Sequence, residues 1–286
     1  MNASNADITV VVTCFNYGQY VQEAVNSVLG QSGGPPVVSV VDDGSTDSAT
    51  LAALERLPPE VEVIRQANAG LSAARNAGLR RARTRYLIVL DADDRLPPDA
   101  LAALRAPLDA TAPELPVSGR RTRLGFTYGR MRYFGEWEAE IPLPPYDPFK
   151  LLYRHTIGST CLMRREVFEE VGGFDPAFPA FEDWDFWLAA LEHGWHGLQI
   201  PQTTFEYRRH AGSMLTSARK QYRRLYRQLR RKHAELYARS GELAAESDLG
   251  APARALYRSY WAWRPVPARV EAALYSVFFG RLSTAP

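Results

Sequence analysis

The chain has 286 residues, 46% of them apolar and 23% charged, with a formal net charge of +2. A chain of that size buries roughly three quarters of its surface on folding, so dominant disorder is excluded and one large domain with an appendage is expected. The two cysteines, Cys14 and Cys161, each lie in an apolar run, which excludes a disulfide scaffold and reads as reduced, buried thiols in an intracellular protein.

Met1–Ala6 is polar and small, resembles a vector-derived remnant, and is expected to stand outside the fold. No stretch reaches the ~18 uncharged apolar residues of a membrane span, and no secretory signal is present, so a cytoplasmic protein is expected. Ile8–Cys14 (ITVVVTC) predicts a strand buried on both faces. Tyr20, Val21, Ala24, Val25 and Val28 follow at helical spacing. After Pro35-Pro36, Val37–Val41 predicts a second buried strand. Asp47 can cap a helix running to about Leu57, where Pro58-Pro59 stops it. Glu62–Arg65 predicts a short strand, Gly70–Ala82 a helix, and Tyr86–Leu90 another buried strand. This alternation predicts a parallel sheet with helices on both faces, and in such sheets ligands bind beyond the carboxyl ends of the strands.

Beyond Asp99 the rhythm loosens. Residues 107–150 are rich in proline, with a strand expected over Phe126–Phe134. Glu166–Val171 predicts a short helix ended by Gly172-Gly173, and Asp183–His193 a helix carrying Trp184, Phe186 and Trp187. A basic rod over about Ser217–Ser240 places Tyr222, Leu225, Tyr226, Leu229, Leu236 and Tyr237 on one stripe, with Gly241 just past its end. Val270–Leu282 is a last amphipathic piece. Residues Arg219 to Arg239 hold nine Lys/Arg and one acid, so this segment is +8 and the remainder −6. Nucleic acid, an anionic membrane surface or plain solvent could face such charge. The stripe favours packing with a solvated basic face, and no nucleic-acid motif accompanies it.

The strand ends carry the chemistry. Thr13-Cys14-Phe15-Asn16 ends the first strand, Asp42-Asp43-Gly44-Ser45-Thr46-Asp47 the second, and Asp91-Ala92-Asp93-Asp94 the fourth. Apart from the helix cap Asp47, five acids (Asp42, Asp43, Asp91, Asp93 and Asp94) are thereby expected on one rim, where they repel unless a cation relieves them. Mg²⁺ or Mn²⁺ suits such oxygen ligands and completes its shell with water and substrate phosphates. Read alone, Asp91–Asp94 serves equally as a turn and cap before Pro97-Pro98.

These pieces resemble a family 2 glycosyltransferase with the GT-A nucleotide-sugar fold. The matching segments are Val11–Gln31, Val41–Asp47 (VDDGSTD), Asn68–Gly78 (NAGLSAARNAG), Leu90–Leu96 (LDADDRL), Gly172–Leu188 and Tyr207–Ser213, six in the family's order. The resemblance covers about residues 7–215. It implies an α/β GT-A domain there, with a mainly parallel nucleotide-binding half and a mixed acceptor half, followed by a basic helical extension over 216–286. It implies that Thr13, Asn16, Asp42, Asp43, Arg75, Asp91 and Ala92 bind the nucleotide sugar. Asp93 and His210, with Asp91 beside them, would hold Mn²⁺ or Mg²⁺. Glu182-Asp183 would be the acceptor-side pair, with Asp183 as general base. Plain alternatives are an ion pair for Arg75, the favourable field of a helix start for Glu182-Asp183, and a lone exposed side chain for His210.

The implied activity is metal-dependent, inverting transfer of a hexosyl or N-acetylhexosaminyl group from a nucleoside diphosphate to a hydroxyl. UDP is the favoured nucleotide. The acceptor would be a glycan, a lipid-linked saccharide or a small molecule, in keeping with cell-envelope polysaccharide synthesis. Peripheral contact with the inner face of the membrane would run through Arg219–Arg239. One alternative is a sugar-phosphate nucleotidyltransferase, whose Gly-rich phosphate loop is replaced here by Thr-Cys-Phe-Asn-Tyr-Gly. The other is a non-catalytic nucleotide-sugar-binding scaffold, against which the retained acids argue.

Overall fold

A computed structural model describes residues 4–110, 114–117, 120–141, 143–210 and 215–262. Its first half runs β1 (Ile8–Cys14), α1 (Gly18–Leu29), β2 (Val37–Asp42), α2 (Ser48–Glu55), β3 (Glu62–Arg65), α3 (Leu71–Arg81) and β4 (Tyr86–Asp91). Every residue of β1 is buried, because β2 and β4 flank it in parallel and helices cover both faces. Its side chains alternate: Val10 and Val12 enter one core with the α1 stripe Val21, Ala24, Val25 and Val28, and Val11 enters the other. Each fully buried valine contributes roughly 1.5–3 kcal/mol. At Gly78 of α3 an added Cβ would lie 2.3 Å from a Val11 methyl, so only glycine lets this helix approach β1 so closely.

Strands run in the order β3-β2-β1-β4, then β8 (Leu162–Arg164), β6 (Arg120–Gly135) and β5 (Glu114–Val117), with β7 (Ala139–Ile141) and β9 (Trp195–Arg209) both pairing to β6. The chain winds outward from β1 through β2 to β3, then returns to place β4 on the other side of β1. The switch point therefore falls between the carboxyl ends of β1 and β4, where Thr13 sits opposite Asp91.

The second half adds α4 (Ala100–Ala110), β5 (Glu114–Val117), β6 (Arg120–Gly135), β7 (Ala139–Ile141), α5 (Pro148–Tyr153), β8 (Leu162–Arg164), α6 (Arg165–Val171), α7 (Glu182–Glu192) and β9 (Trp195–Arg209). β6 outruns the expected Phe126–Phe134 because β9 pairs with it in parallel from Trp195 to Arg209. β9 itself carries Gly197 and Pro201 and little alternation, which hid it in the sequence. Register shifts in the ladder accommodate these residues.

The C-terminal part holds α8 (Leu215–Lys232), α9 (Ala234–Ala238), α10 (Ser240–Glu246) and α11 (Ala251–Ala262). The expected single rod thus breaks at His233, whose buried side chain is tied to α7, and Gly241 lies inside α10 rather than past a helix end. Tyr222, Leu225, Tyr226 and Leu229 join the same core as Trp184 and Phe186. The described part of the segment after 216 therefore packs onto the domain through this stripe. Asn5, expected outside the fold, is buried, and its Nδ2 donates to the Ser32 and Gly34 carbonyls at 2.9 and 2.7 Å. Both cysteines are free and buried. Among the described residues no helix is long and apolar enough to cross a membrane. Val270–Leu282 and the last residues of the Tyr207–Ser213 segment lie outside the described residues.

Candidate active site

Four loops meet at the carboxyl ends of the parallel strands. Asn16 adopts a left-handed conformation (φ 56°), and its Oδ1 accepts from the backbone N–H groups of Thr46 and Asp47 at 2.9 and 3.0 Å. It staples the loop after β1 to the loop after β2. Asp42 Oδ1 accepts from Ser45 N at 2.9 Å, closing the turn that Gly44 opens at φ 75°. Asp43 Oδ1 accepts from Gln66 Nε2 at 2.7 Å and Ala69 N at 2.9 Å, and its Oδ2 from Gly70 N at 2.9 Å. This carboxylate therefore ties β2 to the start of α3.

At the end of β4 the acids diverge. Asp94 is buried, and its Oδ1 accepts from Arg208 N at 2.8 Å, anchoring the end of β9. Burial and the nearby Asp93 and Asp91 push it well above the usual carboxylate range. Asp93 is raised as well, by burial and then by Asp91, with His210 opposing. His210 Nε2 lies 3.0 Å from Asp93 Oδ2, and its ring packs against Tyr17 and Tyr20 at 5.7 and 5.6 Å. Ala92 is fully buried, with its N–H on the Thr13 carbonyl at 3.0 Å, so it puts no side chain on the rim.

Asp91 links the two halves. Its Oδ1 accepts from Thr13 Oγ1 at 2.9 Å, and Arg75 Nη2 donates to Oδ1 and Oδ2 at 3.1 and 3.2 Å. The same guanidinium donates through Nη1 to Glu182 Oε1 at 2.7 Å. Only 2% of Arg75 is exposed. Burial opposes its charge, but Asp91, Glu182 and Asp183 outweigh burial and hold it firmly protonated. One buried cation thus spans Asp91 at the end of β4 and Glu182 at the start of α7. Arg75 thus makes the ion pairs that the sequence left open as its plain alternative.

Glu182 and Asp183 open α7 after Phe181, a non-glycine residue at φ 65°. That conformation is costly for an aromatic residue and persists because neighbours over-determine it. Phe181 packs edge-on against Trp184 and Tyr222, each at 5.7 Å. Glu182 is raised, by burial first and Asp183 second, against Arg75. Asp183 is lowered, because His155 outweighs burial. His155, with its Nε2 3.0 Å from Asp183 Oδ2, is a site residue that sequence reasoning missed. It lies in an irregular loop with no motif around it, and only the fold brings it to α7.

Asp93 and His210 supply a carboxylate and an imidazole side by side. Among the described residues no set of three His, Cys, Asp or Glu side chains could hold a metal by itself. Two protein donors with open positions fit a Mn²⁺ or Mg²⁺ ion that draws its other ligands from diphosphate and water.

The chain matches the family model described as Glycosyl transferase family 2 over residues 9–172, and a Glycosyltransferase like family 2 model over residues 148–240. The chain belongs to glycosyl transferase family 2. Its relatives in the family include Succinoglycan biosynthesis protein ExoO of Rhizobium meliloti (strain 1021), 33% identical over 73% of this chain and 62% of that protein. A second is the Putative teichuronic acid biosynthesis glycosyltransferase TuaG of Bacillus subtilis (strain 168), 28% identical over 79% of this chain and 89% of that protein. This chain thus spans less than two thirds of the ExoO relative's length. Among solved structures, S. aureus TarS 1-349 in complex with UDP-GlcNAc aligns with TM-score 0.62 at 18% identity, over 89% of this chain and 71% of that one. Mannosyltransferase PcManGT from Pyrobaculum calidifontis, in complex with GDP-Man and Mn2+, aligns with TM-score 0.58 at 18% identity, over 96% of this chain and 81% of that one. The fold is GT-A, as the family resemblance implied.

Proposed function

We propose that this family 2 chain transfers a sugar from a nucleoside diphosphate donor to an acceptor hydroxyl with inversion at the anomeric carbon. The observation that carries the reading is the Arg75 bridge, which joins Asp91 of the donor rim to Glu182 beside Asp183. It sets the two ends of a group transfer against one rigid cation, as in-line displacement requires. Thr13, Asn16, Asp42 and Asp43 shape the nucleotide end. Asp43 and Asn16 do so largely by holding the loops whose backbone faces the base.

Asp183 takes the proton from the attacking hydroxyl. Glu182, committed to Arg75, fixes the start of α7. Asp93 and His210 would hold Mn²⁺ or Mg²⁺, which supplies Lewis-acid stabilisation to the departing diphosphate. UDP is the favoured nucleotide; the UDP-GlcNAc in the TarS structure supports it, and the GDP-Man in the PcManGT structure makes GDP the rival. A cell-envelope polysaccharide intermediate is the favoured acceptor class, in line with the names of the ExoO and TuaG relatives. The exposed arginines of α8, among them Arg227, Arg230 and Arg231, suit an anionic membrane surface, which attracts such charges at about 1 kcal/mol each.

The test is thermal stability in UDP, GDP, dTDP and CDP, each with and without Mn²⁺. A ligand at about 100 times its dissociation constant adds roughly 2.7 kcal/mol. A metal-dependent shift with one nucleotide is the expected result. No shift with any of the four would sink the reading.

A further inference from the structure

Glu182 and Asp183 are adjacent acids at one helix start, and each has a different cation. Glu182 faces Arg75, which is permanently charged. Asp183 faces His155, which can lose its charge near neutral pH. The His155 ring lies between neighbours that set its orientation: Trp184 stacks on it at 6.1 Å and 18°, and Phe181 meets it at 6.0 Å and 63°. Asp183 is fixed from its other oxygen too, where Oδ1 accepts from Trp184 N at 2.8 Å. The carboxylate thus has one partner on each oxygen. A guanidinium in the place of His155 would lock Asp183 into a permanent pair; an imidazole leaves its basicity adjustable.

We propose that His155 is the positioning residue for Asp183, holding its carboxylate oriented toward the acceptor hydroxyl whose proton it takes. This rests on the reading of Asp183 as general base. In the reaction it serves, the acceptor oxygen bonds to the anomeric carbon, the bond from that carbon to the diphosphate oxygen breaks, and the electron pair leaves with the diphosphate. The hydroxyl proton goes to Asp183.

The charged and titratable groups facing the pair are Glu182 on α7, Arg75 on α3 and Cys161 just before β8. Burial by itself favours neutral His155, but Asp183 outweighs it, with a hydrogen bond to the Ile157 backbone and the charge of Glu182 acting the same way, so the imidazole is held above its ordinary value. Without His155, burial of Asp183 is opposed mainly by Arg75, and the proton affinity of the carboxylate rises. The acid limb of the rate profile then moves to higher pH.

The experiment has two arms. In the first, histidine resonances of the wild type, His155→Gln and Asp183→Asn are titrated by NMR, with no substrate needed. The resonance missing from His155→Gln is expected to titrate above the ordinary value of about 6.5 in the wild type, and lower in Asp183→Asn. An unmoved midpoint in Asp183→Asn overturns the pairing. In the second, pH–rate profiles are measured with UDP-GlcNAc or GDP-mannose, whichever stabilises the protein. His155→Gln is expected to lose about tenfold in kcat on the acid side for each pH unit the limb moves, to recover at alkaline pH, and to keep its donor KM. An equal loss at every pH overturns the positioning role and leaves a structural one. Full turnover in Asp183→Asn overturns the base assignment itself. Lost turnover there with an unshifted limb in His155→Gln overturns the positioning role alone.

Discussion

The acids at the strand ends and those of α7 find their partners by different means. Asp42, Asp43, Asp47 and Asp94 accept mostly from backbone N–H groups, at Ser45, at Ala69 and Gly70, at Thr50 and at Arg208. Such bonds hold the loops in shape. On α7 every acid of the first turn has a side-chain cation. Arg75 serves Glu182 and His155 serves Asp183. Asp185 takes Lys232 at 2.8 Å and His233 at 3.0 Å, both from the basic C-terminal segment. The difference separates loops held by backbone donors from a helix held by side-chain cations. Asp91 belongs to both, through Thr13 on one side and Arg75 on the other.

Substitutions on the two sides should therefore fail in different ways. The largest effect is expected for Asp183→Asn, which loses about 10²- to 10⁴-fold in turnover while nucleotide affinity stays near wild type. Unchanged turnover would remove Asp183 from the chemistry. Arg75→Met comes next. It strands Glu182 as a buried, unpaired acid and is expected to cost about 3–5 kcal/mol of stability, read as a lower denaturation midpoint, together with transfer activity. A stable, active Arg75→Met would show that the two ends do not depend on the bridge.

Asp43→Ala removes three hydrogen bonds that hold the start of α3 and is expected to weaken nucleotide binding by about 1–3 kcal/mol without any acceptor present, measured by calorimetry. Unaltered binding would take Asp43 out of the nucleotide end. The smallest effect is expected for Asp47→Ala. Asp47 caps α2 on the N–H groups of Ala49 and Thr50, so its loss should cost about 1 kcal/mol of stability and leave nucleotide binding alone. A binding defect there as large as that of Asp43→Ala would blur the line between the loop acid that shapes the nucleotide end and one that only caps a helix.

The donor half was legible because its signals are local. The ITVVVTC run, the stripe on α1, Asp47 as a cap and Glu62–Arg65 all appear in the structure at or within a residue or two of where the sequence put them. The acceptor half was less legible. α4 was absent from the sequence reading, although Leu101, Leu104 and Leu108 form its buried stripe; the prolines flanking and inside it masked the period. β9 pairs through irregularities that no alternation reveals.

By itself the sequence determined the order of strands and helices in the first half, the turn chemistry after each strand, and the set of acids at their ends. Buried parallel strands need continuous apolar runs, and tight turns need Asp, Asn and Gly at particular places, so both leave marks in a short window. The tertiary structure alone decided which of those acids hold a loop through backbone N–H groups and which meet a side chain from elsewhere in the chain. It alone placed His155 on Asp183, stretched Arg75 from Asp91 to Glu182, and turned the basic segment from an appendage into the helix that packs behind α7. The physical reason is that charges are paired by proximity in space, and these partners come from residues 75, 155, 183 and 232, which only the closed core brings within reach.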